Sequence, residues 1–165
     1  MDREPAKIVL ETSAAIAYLT NEPESADIER LVALAEAGRI QLLMSEFAWS
    51  EIEPGHQHPA DRLERLASIA HHIPKVARVG EWRLGLDMLG HDASNEIQSR
   101  IGPGAGSADT EQFLSFAARA SASYFVTKDR DFLKESKRTG VHKRFGFQVG
   151  APEACLEWLR EEGIA

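Results

Sequence analysis

Four acids, Glu11, Glu51, Asp109 and Asp129, stand where stretches of different character meet along the chain. Glu11 follows the apolar run Lys7-Ile8-Val9-Leu10, and Asp129 lies just past Tyr124-Phe125-Val126-Thr127. Glu51 falls on the helix expected after the apolar run 40–44, and Asp109 near the start of a helix expected after the glycine-rich segment 102–106. Carboxylates brought together repel one another and either take up protons or require a cation. A hard, oxygen-seeking ion that keeps several waters, Mg²⁺ or Mn²⁺, suits such a cluster best. Ions of this kind activate water and stabilise charge on a phosphoryl group, so the chemistry indicated is metal-dependent phosphodiester cleavage. The competing explanation is local. The chain carries 26 acids, most acids in any protein are solvated surface groups, and Asp109 and Asp129 also suit helix starts.

The elements that would position these acids follow from pattern. Short apolar runs predict strands at 7–10, 40–44, 75–79, 124–127 and 145–149. Helical spacing predicts helices at 14–19, capped by Thr12 or Ser13, and at 25–37, 45–52, 59–70, 81–101, 107–120 and 129–136. A last helix opens with Pro152 at its first position. Strands that alternate with helices predict one α/β domain with a parallel sheet flanked by helices. Ligand sites in such sheets gather outside the carboxyl ends of the strands, which is where these acids fall.

Composition narrows the function. The chain has 165 residues, 43% hydrophobic and 27% charged, as expected for one folded domain spanning 1–165. Its net charge of −7 excludes a uniformly basic nucleic-acid coat. It does not exclude a local patch: residues 128–144 hold seven bases (Lys128, Arg130, Lys134, Lys137, Arg138, Lys143 and Arg144) against three acids (Asp129, Asp131 and Glu135), an excess of +4. That stretch begins at a proposed metal acid and is expected to track an RNA backbone. The alternative is a solvated helix face. One cysteine, Cys155, excludes an internal disulfide and a Cys-rich zinc site, and reads as a small apolar residue of the last helix. No apolar run is long enough to span a membrane. Met1-Asp2-Arg3-Glu4 does not read as a signal peptide, and a cytoplasmic protein is expected. His56, His58, His71 and His72 lack ligand spacing and read as surface residues. Segment 102–106 lacks the Lys-Ser/Thr of a P-loop and reads as a loop beside Asp109.

Several segments, taken in order, resemble the PIN-domain nucleases. Lys7-Ile8-Val9-Leu10-Glu11-Thr12-Ser13-Ala14-Ala15-Ile16 resembles the family's opening strand, acid and helix. Ser45-Glu46-Phe47-Ala48-Trp49-Ser50-Glu51-Ile52 is similar to its second motif, and Ala108-Asp109 and Tyr124 through Phe132 to its third and fourth. Phe147-Gln148-Val149-Gly150-Ala151-Pro152-Glu153 resembles its closing strand and helix start. The resemblance implies a three-layer α/β/α sandwich and a metal-dependent endoribonuclease, VapC-type toxins being the members in view. It implies Mg²⁺ or Mn²⁺ held by Glu11, Glu51, Asp109 and Asp129, with Asp131 as a possible fifth acid, and ligands oriented by Ser13 and Thr127. It further implies an antitoxin partner and a homodimer. The departure is Glu11, where the family usually has Asp. This makes a catalytically impaired module that binds RNA or protein the second expectation; a metal-dependent DNA nuclease or phosphatase is the third. Residues 54–106 match no family motif and are expected to form a helical insertion.

Overall fold

The computed structural model describes residues 4–52, 58–73, 117 and 120–165. Five strands form a wholly parallel sheet: β1 (Ala6–Leu10), β2 (Ile40–Ser45), β3 (His71–Ile73), β4 (Tyr124–Val126) and β5 (Gln148–Gly150). Their order is β3-β2-β1-β4-β5. Ile8, Val9 and Leu10 are fully buried, as a central parallel strand covered on both faces requires, which is why β1 is a continuous apolar run rather than an alternating one.

The helices among the described residues are α1 (Thr12–Leu19), α2 (Ser25–Glu36), α3 (Glu46–Ile52), α4 (Ala60–Ile69), α5 (Glu135–Phe145) and α6 (Pro152–Glu161). α2 packs on β2 and on α6, and α6 in turn on β4 and β5. The chain steps one way along the sheet from β1 to β2 and the other way from β4 to β5. Right-handed crossovers therefore put α2 and α5 on opposite faces, making three layers. Among the described residues no helix is long and apolar enough to cross a membrane.

Most elements lie where the sequence puts them; strand β3 at His71–Ile73 is not among the expected strands, and four further details differ. First, neither Thr12 nor Ser13 caps α1; Glu11 does, its side chain accepting the Ser13 amide, while Thr12 is the first helical residue. Secondly, Ser45 ends β2 and its Oγ accepts the Ala48 amide at 3.1 Å, so it supports α3 from outside the helix. Thirdly, residues 129–134 form turns, and the helix begins only at Glu135. Fourthly, that helix runs on through Phe145 to Gly146, whose φ of +77° is a conformation that favours glycine, so the last strand starts at Gln148 instead of residue 145. The strand expected at 75–79 and the helices expected at 81–101 and over most of 107–120 lie outside the described residues, as does most of the expected insertion at 54–106. Cys155 is buried on α6, and burial pushes its thiol pKa up.

Candidate active site

The strand order reverses between β1 and β4. That switch point is where an open parallel sheet leaves a crevice at its carboxyl edge. The Glu11 amide donates to Val126 O at 3.0 Å, and the Thr127 amide to Gly150 O at 3.0 Å, so the segments leaving β1, β4 and β5 stay in register past the strand ends. Glu11 and Thr127 are thereby delivered to the same place.

Around Glu11 the polar groups form a closed set. Its Oε2 accepts from the Ser13 amide at 3.0 Å, from the Ser13 hydroxyl, and from Thr127 Oγ1 at 3.1 Å. Ser13 Oγ accepts the Lys128 amide at 3.0 Å, and Thr127 Oγ1 accepts the Asp129 amide at 3.0 Å. Each hydroxyl thus takes one hydrogen bond from the segment after β4 and gives one to Glu11. Asp129 Oδ1 accepts the Asp131 amide at 2.8 Å, and its carbonyl accepts the Leu133 amide at 3.2 Å, which winds the turn that follows. Burial raises the Glu11 carboxyl pKa above its ordinary value; the hydrogen bonds from Ser13 and Thr127 oppose this, and the Asp129 charge adds to it.

The structure therefore brings together Glu11, Ser13, Thr127, Asp129 and Asp131. Glu51 is exposed on α3, and no hydrogen bond or ion pair joins it to that cluster among the described residues. Asp109 lies outside the described residues. Among them, no group of three acid, His or Cys side chains is assembled as a metal site. The donors present nevertheless fit a hard divalent cation. No donor among the described residues meets Glu11 Oε1 or Asp129 Oδ2, and both are carboxylate oxygens, the ligand type that Mg²⁺ and Mn²⁺ prefer.

The basic stretch divides. Lys128 Nζ pairs with Glu22 and, at 3.3 Å, with Glu24. Lys134 pairs with Asp131 at 2.6 Å, and Arg138 Nε donates to Val149 O at 2.9 Å. Arg130, Lys137 and Lys143 form no ion pair among the described residues, and nothing is described of the Arg144 side chain. His71 is exposed.

Sequence reasoning missed Glu22 and Glu24, and also two arginines of α4. Arg62 donates to Tyr18 O at 2.6 Å, to Ser25 Oγ at 2.9 Å and to Asn21 Oδ1 at 3.2 Å. Arg65 grips Glu36 with two hydrogen bonds, at 2.6 and 2.8 Å, and also pairs with Glu29. These contacts tie α4 to α1 and α2. The one local signal for them is the spacing of Arg62 and Arg65, which puts both on the same face of a helix.

Residues 7–131 match the PIN domain family, and the chain belongs to that family, whose members are nucleases. Among solved structures it is similar to the crystal structure of VapBC2 from Rickettsia felis bound to a DNA fragment from their promoter. The TM-score is 0.56 and the identity 14%, with 88% of this chain and 98% of that chain covered. At that identity the likeness is one of fold. No curated protein matches the chain.

Proposed function

We propose that the protein is a metal-dependent endoribonuclease and acts as the toxin of a toxin–antitoxin pair in the cytoplasm. The observation that carries the reading is the meeting of Glu11 and Asp129 at the switch point of a PIN sheet, each with one carboxylate oxygen that meets no donor among the described residues. Glu11 and Asp129, joined by Asp109 and Glu51 and through water by Asp131, would hold Mg²⁺ or Mn²⁺, which when bound supplies an activated water and neutralises phosphoryl charge. The chain's own part is orientation. Ser13 and Thr127 fix Glu11 from both sides, and Thr127 also fixes the Asp129 amide, so the two carboxylates reach substrate with little rearrangement left to make. Arg130, Lys137, Lys143 and Arg144 would draw the RNA backbone towards acids that otherwise repel it. The antitoxin partner is supported by the likeness to VapBC2, a pair bound to promoter DNA. A homodimer remains part of the proposal on family grounds.

One observation favours a second reading. Glu11 Oε2 is fully used within the protein, as cap of α1 and as acceptor from Thr127, so Glu11 also serves as a structural residue of an impaired module that binds RNA or protein. Cleavage of a mixed single-stranded RNA pool, with a gapped DNA duplex alongside, separates the readings. The proteins are wild type, Asp109→Asn and Glu11→Asp, each with EDTA, Mg²⁺ or Mn²⁺. Metal-dependent RNA cleavage by wild type that Asp109→Asn abolishes is the expected result. Silence in wild type with activity in Glu11→Asp establishes the impaired module instead, and a preference for the DNA overturns the RNA assignment.

A further inference from the structure

Lys128 sits between Thr127 and Asp129 and is held at both ends. Its amide reaches Ser13 Oγ at the start of α1, while its ammonium reaches Glu22 and Glu24 in the connection that follows α1. The side chain is 22% exposed, against 40% and 38% for its two partners, so the ammonium is the sheltered member of the group. A cation that serves RNA phosphates must face solvent with its charge unmet; this one is met twice. The three contacts span α1 from end to end.

We propose that Lys128 is a positioning residue: its bridge to Glu22 and Glu24 clamps the Asp129 turn against α1 and so sets the spacing of the Glu11 and Asp129 carboxylates. The inference rests on the metal-site reading above, and its test keeps the two apart. Lys128→Gln and the double variant Glu22→Gln/Glu24→Gln both break the bridge, but they change charge in opposite directions. Electrostatics alone predicts that Lys128→Gln tightens binding of a cation and that the glutamate variant weakens it. The clamp predicts that both weaken it, by about threefold for a bridge of this exposure, and that Lys128→Arg restores it.

The measurements are Mn²⁺ titration of the full chain and hydrogen exchange of the Lys128, Asp129 and Asp131 amides, with thermal melting to confirm that each variant is folded. The expected result is weaker Mn²⁺ binding and lower amide protection in both charge-neutralised variants. Mn²⁺ binding tightened in Lys128→Gln, or unchanged in both variants, overturns the proposal. So does a Lys128→Gln protein whose defect is confined to single-stranded RNA affinity and its salt dependence, which would make Lys128 a phosphate contact. If wild type binds no Mn²⁺, the metal reading fails, and the exchange of the three amides alone decides for or against the clamp.

Discussion

Glu11 divides its two oxygens between two tasks. Oε2 closes the first turn of α1, a place usually taken by Ser, Thr, Asp or Asn, and Oε1 is left for other use. The Glu11 carboxylate turns back to the Ser13 amide while staying in reach of Thr127. The same burial that organises the group disfavours its charge. Folding therefore shifts Glu11 towards its protonated form relative to a solvated carboxyl. Stability from this source is fully present below the ordinary carboxyl value of 4.5 and is lost as pH rises through the raised folded value. In metal-free protein, Glu11→Gln should melt at a temperature that gains on wild type as pH rises above the ordinary carboxyl value of 4.5. Added Mn²⁺ should narrow that gap, because a bound cation offsets the cost of the charge in wild type only. A gap independent of pH would show that Glu11 titrates as a solvated acid.

At the scale of elements, strands β1, β2 and β4 were legible, while β3 and the turns between strands were not. β1, β2 and β4 are apolar runs whose residues are buried, so burial and pattern carry the same information. α5 is different. Its sequence is dominated by charge, with Val141 and Phe145 as its apolar residues, too few to show a helical period. Asp129 caps a single turn ahead of it, its Oδ1 accepting the Asp131 amide and its carbonyl the Leu133 amide, and that turn does not run on into the helix, which starts at Glu135. Of the candidate site, the residues that the structure brings together, Glu11, Ser13, Thr127, Asp129 and Asp131, could be read from the chain, whereas Glu51 is not joined to them and Asp109 lies outside the described residues. The bonds between them join residues more than a hundred positions apart, as in Thr127 to Glu11 and Lys128 to Glu22, and leave no local mark. The docking of α4 is a further case. Arg62 satisfies a main-chain carbonyl and the buried Ser25 hydroxyl, and lies 5.2 Å from the centre of the Tyr18 ring. Arg62→Ala should lower the unfolding free energy by about 2 kcal/mol, since hydrogen bonds to charged groups are stronger than neutral ones. Urea unfolding measures this, and a loss under about 0.5 kcal/mol would mean that α4 is held by its apolar face instead.

At the scale of the whole molecule, an acidic chain carries Arg130, Lys137 and Lys143, which form no ion pair among the described residues, on the segment that follows Asp129. Neutralising Arg130, Lys137 and Lys143 together should flatten the dependence of single-stranded RNA affinity on salt by about two units in the log–log slope, given about 0.7 per phosphate contact. Binding titrations across a salt series read the slope directly, and an unchanged slope would place the RNA on another face. The outer border of the sheet bears on how copies of the protein could meet. In β5, Gln148 and Gly150 bond inward to the β4 side, so Val149 alone turns its backbone outward. Arg138 occupies that outward carbonyl. A strand of three residues whose exposed acceptor is already taken offers little template for an incoming strand. Two copies would therefore not fuse their sheets across β5. Any pairing through this side would be built from side chains, with the Arg138 guanidinium already seated on the edge carbonyl.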